Sequence, residues 1–227
     1  MMKVRICLGV DKMVFSSLSF LFFFLPLFLL IYFISKKELQ NIIILVASLF
    51  FYAWGEPKYV IVMIFSIIFN YLCGLLIDKY PKRDKLFLIL AVTGNLLLLI
   101  IFKYLNFIIT NINSILSTNI NSVNLLLPIG ISFYTFQAVS YVVDVYKKNV
   151  KAQKNIITMG AYIALFPQLI AGPIVRYKDI EKQLSKRVIS LDKITDGARR
   201  FIIGLGKKVI IANNVAVIAD TIFNGDL

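Results

Sequence analysis

Long apolar runs separated by short charged loops dominate the hydrophobic pattern of this chain. A helix needs about 20 apolar residues to cross the hydrocarbon core of a bilayer. Runs of about this length lie at 14–34, 39–54, 59–77 and 86–102. A fifth begins at Pro128, a residue suited to the first helical position, and ends near Tyr146. The predicted fold class is therefore all-α: a polytopic membrane helix bundle.

The first apolar run is predicted to remain in the mature protein as a membrane helix. It is longer than the apolar region of a signal peptide, and no small-x-small cleavage site follows it. Pro26 is tolerable inside such a helix. Residues 1–12 are short and mixed in character, which favours Met13 as the natural start. The predicted organisation is a leader at 1–12 and one membrane-embedded domain at 13–227.

Three segments differ from simple spans. Residues 104–124 alternate Ile and Leu with Asn, Ser and Thr, which predicts an interfacial helix. A polar surface helix and loop are expected at 179–196, followed by a second interfacial helix at 198–211, basic on one side and apolar on the other. Residues 156–175 are apolar but have basic residues on both sides, so they are predicted to re-enter the membrane. A re-entrant backbone must be covered by protein or line a water-filled cavity.

Lysine and arginine are distributed unevenly between the loops. Loops after the first, third and fifth spans hold ten of them, whereas loops after the second and fourth hold only Lys58 and Lys103. Positive residues concentrate on the cytoplasmic side. The count therefore predicts a multi-pass protein of the cell membrane whose mature N-terminus is extracytoplasmic.

Composition excludes several function classes. Apolar residues make up 59% of the 227 residues, which argues against a soluble domain. The net charge of +13 resides in membrane-flanking loops rather than in a nucleic-acid-binding surface. There is no histidine, and Cys7 and Cys73 are the only cysteines. We therefore expect no metal site, no disulfide framework and no partnership with nucleic acid.

Four polar residues mark one face of the fifth predicted span. Tyr134, Gln137, Tyr141 and Asp144 are spaced by three, four and three residues. Polar groups inside a membrane helix usually face protein or water. This face either lines a substrate or acyl tunnel or forms hydrogen bonds between helices. For Asp144, near the cytoplasmic end, the structural interpretation is favoured.

A second set of candidates lies in and after the re-entrant segment. Gln168 sits between Pro167 and the Gly172-Pro173 pair, where a broken helix exposes backbone groups that can host a ligand. A purely structural turn is the alternative. Arg176 either pairs with Asp144 or is an ordinary cytoplasmic arginine.

The chain resembles the membrane-bound O-acyltransferase family, in its bacterial alginate O-acetyltransferase branch. The resemblance rests on four stretches and a weaker fifth: MVFSSLSFLFFFLPLFLLIYF at 13–33, FYAWGEPKY at 51–59, LPIGISFYTFQAVSYVVDVYKK at 127–148, FPQLIAGPIVRYKDIEKQL at 166–184, and RRFIIGLGKKVIIANNVAVIAD at 199–220. It implies part of a multi-helix acyltransferase fold in a bacterial cell membrane, with an acyl thioester as donor and an extracytoplasmic polysaccharide or cell-wall polymer as acceptor.

The resemblance also implies what these residues lack. Members of the family carry their proposed catalytic histidine in the second half, and this chain matches the first half only. No catalytic residue is therefore assigned, no bound cofactor is expected, and a C-terminal half or second polypeptide is an expected partner. Two other interpretations remain open: an inert membrane subunit or scaffold, and a transporter, although no internal repeat supports the latter.

Overall fold

A computed structural model describes residues 15–123, 125–169 and 172–223. The predicted leader at 1–12 and the predicted start at Met13 lie outside these ranges. All regular structure in the described part is helical, which confirms the predicted fold class. The α-helices are α1 (Leu25–Ile34), α2 (Gln40–Gly55), α3 (Val60–Lys79), α4 (Asp84–Leu99), α5 (Leu105–Leu116), α6 (Ile131–Tyr146), α7 (Ile156–Ile163), α8 (Phe166–Leu169), α9 (Tyr177–Ser185), α10 (Leu191–Gly206) and α11 (Asn213–Phe223).

The described residues form two units. In the larger, Ile31–Ser185, α3 packs against α4 and α6, and these two also contact each other. The short helix α7 rests on α2 and α3, while α9 covers α6 and α7. The smaller unit comprises residues 15–30 and 186–223 and includes α10 and α11. The large unit therefore holds every predicted polar site residue.

Several helices have the dimensions of membrane spans. Among the described residues, three continuous helical stretches are long and apolar enough to cross a bilayer: Pro57–Lys79, Asp84–Leu116 and Leu191–Phe223. Shorter apolar helices occupy Phe20–Ile34 and Gln40–Gly55. Many large apolar side chains are exposed on these helices, as expected where lipid replaces water.

The helix that follows the third span is longer than predicted. A π-helical turn at Ile100–Tyr104 joins α4 directly to α5, so the expected break near Lys103 does not occur. Asparagine side chains explain how the polar part remains helical and gains a return segment. The Asn106 side chain donates to the Val123 carbonyl and accepts from the Val123 amide. Asn113 makes the same pair of bonds with Ile120.

Two other boundaries differ from prediction. A π-helical turn at Lys207–Ala212 joins α10 to α11, so the helix predicted at 198–211 is part of the longer stretch Leu191–Phe223. The second boundary is the start of α6, which lies at Ile131 rather than at Pro128. Residues 128–131 form a turn in which the Ile131 amide donates to the Pro128 carbonyl, and Gly130 adopts a φ of +74°.

A buried amide pair joins α3 to α4. Asn70 and Asn95 are 0% and 2% exposed, and each side-chain nitrogen donates to the other's oxygen, at 3.1 and 2.7 Å. Each amide also donates to the backbone carbonyl four residues earlier. These bonds fix the two helices in register and satisfy polar groups that lipid could not.

Candidate functional site

The polar face of α6 points into the protein. Tyr134, Gln137, Tyr141 and Asp144 are 0, 4, 0 and 6% exposed, so the predicted common face exists and is buried. α6 packs against α7 and α9, and its Gln137 shares the Tyr162 carbonyl with Gln168 of α8, the one residue of the second predicted set that lies on these helices. The two motif-rich stretches at 127–148 and 166–184 thus come together as one polar seam.

The centre of the seam is the backbone carbonyl of Tyr162. Helix α7 ends at Ile163, and the amide of Phe166, which would reach this carbonyl in a continuous helix, donates instead to Ser48 Oγ at 3.2 Å. The freed carbonyl accepts from Gln137 Nε2 at 2.9 Å and from Gln168 Nε2 at 2.8 Å. Both predicted glutamines therefore stabilise the helix break itself. The broken helix predicted from Pro167 is confirmed.

Three buried tyrosines close one end of the seam. Tyr177 makes edge-to-face contacts with Tyr141 and Tyr162, with ring centroids 5.1 and 5.2 Å apart. Gln153 links two of them, because its backbone amide donates to the Tyr141 hydroxyl and its side-chain Nε2 donates to the Tyr177 hydroxyl. Burial raises the pKa of Tyr177, while its bond to Gln153 works in the opposite direction. The three tyrosine side chains are buried and pack closely against one another.

Asp144 lies at the end of α6 and has a different partner from the one predicted. Its Oδ1 accepts from the Asn149 side chain at 3.0 Å, and its carbonyl accepts from the Asn149 amide. The second oxygen, Oδ2, is buried and has no hydrogen bond within the described residues. Arg176, the predicted partner, has an exposed side chain. The carboxylate therefore fixes the turn after α6.

The Gly172-Pro173 pair is exposed, unlike the buried residues of the seam. Gly172 has a φ of +132°, a conformation open to glycine and costly for other residues. Added atoms at its Cβ position would meet nothing within 4 Å. The structure therefore assigns this pair a backbone role in the chain path after α8.

Gly130 brings α6 against the end of α8. A Cβ at this position would collide with the Leu169 carbonyl oxygen. The turn before α6 therefore needs glycine for two reasons: its φ is positive, and the close approach of the two backbones leaves no room for a side chain. It also anchors the short helix that carries Gln168.

A second polar cluster lies where α2 ends and α6 begins. Tyr52, Tyr134 and Thr135 have fully buried hydroxyl oxygens without hydrogen-bond partners in the described part of the chain. Glu56 follows the last residue of α2, and its Oε2 accepts from the Ile129 backbone amide at 2.9 Å. Sequence reasoning missed Tyr52, Thr135 and Glu56, because Tyr52 fitted the aromatic belt expected at a span end. Its position in the FYAWGEPKY stretch was the available signal.

The described residues hold no group of three or more His, Cys, Asp or Glu side chains able to share a metal ion. The polar seam and the cluster at the end of α2 offer amides, hydroxyls and the carboxylates of Asp144 and Glu56. These groups can bind neutral polar ligands and hold backbone, but no nucleophile–base pair is assembled among them.

Comparison with curated proteins identifies relatives over nearly the whole chain. The chain is 42% identical over 218 residues to the probable alginate O-acetylase AlgI of Pseudomonas aeruginosa. The match covers 93% of this chain and 42% of that protein. The corresponding protein of Azotobacter vinelandii is 41% identical, with 44% of its length covered. The peptidoglycan O-acetyltransferase of Helicobacter pylori is 34% identical over 247 residues, with 47% of its length covered.

The other comparisons found no similarity: no family model and no solved structure matches the chain. The chain spans less than half the length of the curated relatives it matches. Their names nevertheless confirm the resemblance that the sequence stretches indicated. Over 93–94% of its length the chain is therefore similar to part of bacterial proteins named alginate O-acetylase and peptidoglycan O-acetyltransferase.

Proposed function

We propose that this chain forms part of a membrane O-acyltransferase that moves acetyl or similar acyl groups onto an extracytoplasmic polysaccharide or cell-wall acceptor. The relatives are named for acetylation of alginate and peptidoglycan, which supports transfer to a polymer rather than transport. The structural observation that supports the proposal is the polar seam, in which Gln137 and Gln168 donate to the Tyr162 carbonyl where the helix is broken. Such breaks in a membrane protein place polar backbone where a substrate path can run.

The general base of the reaction comes from outside these 227 residues. Attack of an acceptor hydroxyl on an acyl thioester is assisted by a group that removes the hydroxyl proton, usually histidine. The chain has no histidine. We propose that its own residues build one wall of the substrate path and the surface that meets the thioester donor. A further polypeptide segment, in the same or a second chain, completes the site.

We expect residues 1–227 alone to transfer no acetyl group. General-base assistance contributes about 10²–10⁴-fold, so its loss reduces the rate to background. The measurement is acetyl transfer from a radiolabelled thioester to polysaccharide in membrane vesicles that contain the chain, with a full-length relative as positive control. Transfer above that of empty vesicles would overturn the assignment of the base.

The membrane topology gives an independent prediction. The loop charge count places Lys58 outside and Lys82 inside. A Lys58→Cys variant should react with an impermeant maleimide in intact cells, whereas Lys82→Cys should react only after permeabilisation. Both variants are made with Cys7→Ser, and the remaining Cys73, which is 2% exposed, provides little background labelling. The reverse pattern would invert the proposed orientation.

A further inference from the structure

The chain after α8 turns back along α6. Where α8 ends, the Leu169 carbonyl oxygen adjoins Gly130, directly before α6 begins. Tyr177, the first residue of α9, packs against Tyr141 inside α6, with ring centroids 5.1 Å apart. Residues 172–176, the return limb, therefore lead from the start of α6 toward its middle.

The return limb is non-helical and exposed. All of its side chains are exposed except that of Val175, which is partly buried. Within the described residues, hydrogen bonds reach only two of its backbone groups, the carbonyls of Val175 and Arg176. Inside a bilayer, non-helical backbone occurs only where protein buries it or where it lines a water-filled cavity. No described residue buries this limb, so its environment points to a water-filled path.

Arg176 lies level with the middle of α6, the fifth predicted span. The Tyr162 hydroxyl is 3.0 Å from the Val175 carbonyl oxygen and 3.4 Å from the Gln137 carbonyl oxygen. Gln137 and Tyr141 are about 9 and 15 Å along this helix of about 24 Å, at 1.5 Å per residue. Arg176 is the residue after Val175, so its backbone lies between these levels. An ionisable side chain at such a depth faces protein or water and commonly marks a functional site.

The charge near Arg176 favours an anion with more than one negative charge. Its guanidinium makes no hydrogen bond or ion pair with a described residue. Four other exposed charged side chains lie on the two adjoining segments: Lys151, Lys154, Lys178 and Asp179. Gln153 joins these segments, because its Nε2 donates to the Tyr177 hydroxyl at 2.7 Å. Three of the four are cationic, and an arginine fork matches two phosphate oxygens at once, so a phosphate group fits this surplus better than one carboxylate.

We propose that the return limb lines a water-filled path from the cytoplasmic side and that Arg176 binds a phosphate group in it. The loop charge count places the lysines on either side of Gln153 in the cytoplasm, which sets the side of entry. The phosphate belongs either to the thioester donor or to a lipid headgroup. The first source rests on the proposed function, whereas the path and the arginine site do not.

Thiol chemistry tests the path without reference to activity. Ile174→Cys is made with Cys7→Ser in the full chain, because Ile174 is 46% exposed and the remaining Cys73 is 2% exposed. The protein is placed in phosphatidylcholine nanodiscs and treated with an anionic or a cationic methanethiosulfonate reagent. Relative to their rates with a free thiol, the anionic reagent should react roughly tenfold faster than the cationic one. No reaction with either reagent would show that the limb is covered and would overturn the proposal.

Arg176→Gln, added to the same background, should remove the preference for the anionic reagent, a change of roughly tenfold in the rate ratio. Lys182→Gln is the matched control, because it removes one exposed cation from α9 at a distance from the return limb. The control should keep the preference. An equal loss in both variants would attribute the effect to general surface charge and reject Arg176 as the binding residue.

Inorganic pyrophosphate identifies the source of the phosphate. A soluble source predicts that pyrophosphate slows modification when Arg176 is present and has no effect in the Arg176→Gln variant. A lipid headgroup predicts no effect of pyrophosphate, and a preference that phosphatidylglycerol abolishes, with Arg176→Gln measured in both lipids as reference. That result keeps the phosphate site and rejects the donor as its occupant. Insensitivity to both pyrophosphate and lipid would overturn the phosphate site.

Kinetics link the site to the donor in a full-length relative whose matching segment is replaced by this chain. A donor phosphate on Arg176 predicts that Arg176→Gln raises the donor KM roughly tenfold, with the acceptor KM unchanged. An unchanged donor KM would reject the donor as the occupant. An inactive chimera would count against the proposed function, while the thiol result would still decide whether the path and the arginine site exist.

Discussion

Replacing Gln137 and Gln168 together by leucine should unfold the broken-helix region. Each amide donates to the Tyr162 carbonyl, at 2.9 and 2.8 Å. A single replacement leaves one donor and should cost about 1–3 kcal/mol. The double replacement leaves the buried Tyr162 carbonyl without either donor. Its loss of unfolding free energy should therefore exceed the sum of the two single losses by at least about 1 kcal/mol.

The measurement is a double-mutant cycle on thermal or denaturant unfolding in nanodiscs. Gln183→Leu, an exposed position on α9, serves as the matched control and should change little. The cycle also separates the two interpretations of Gln137. A residue that only lined a substrate path would affect transfer in an active chimera and leave stability unchanged. Strictly additive, small stability losses would contradict the assignment of the glutamines to the helix break.

Gly130→Ala should be among the most damaging single-methyl changes in the chain. An L-residue at a φ of +74° costs about 1–2 kcal/mol, and the added Cβ collides with the Leu169 carbonyl oxygen. Relief of the collision requires movement of α8 away from α6, which adds about 1–3 kcal/mol of packing loss. We therefore expect a total destabilisation of about 2–5 kcal/mol.

Gly55→Ala is the control for this substitution. Gly55 ends α2, and a Cβ there would meet nothing within 4 Å. Its effect should stay within about 1 kcal/mol, the difference in helix propensity between the two residues. Both variants are compared by unfolding in nanodiscs. Equal stability of the two variants would show that α8 does not depend on its approach to Gly130.

The helices were predictable because membrane spans have a strong hydrophobic signal. The segments predicted at 39–54 and 59–77 correspond to α2 and α3 within a few residues. The common face of Gln137 and Asp144 followed from helical spacing alone. The break after α7 followed from Pro167, which removes a backbone donor and cannot continue a helix without distortion.

The contacts between these elements were not predictable from local pattern. The start of α6 depends on Leu169, which lies 39 residues after Gly130 in the chain and sets the geometry of its turn. The join between α4 and α5 depends on side chains such as Asn106, whose bonds to Val123 replace an expected break. Tyr52 fitted an interfacial aromatic from its place at a span end, but packing in the folded protein buries its hydroxyl.

The most direct test of the central claim exchanges the matching segment of the Pseudomonas aeruginosa alginate O-acetylase for residues 13–227 of this chain. The chimera is expressed in cells that lack the native protein, its membrane level is measured, and acetyl groups on the polysaccharide are counted. We predict restored acetylation, and its loss when Gln137 and Gln168 are both leucine. A chimera that accumulates in the membrane at the native level but adds no acetyl groups would contradict the proposal that this chain serves acyl transfer.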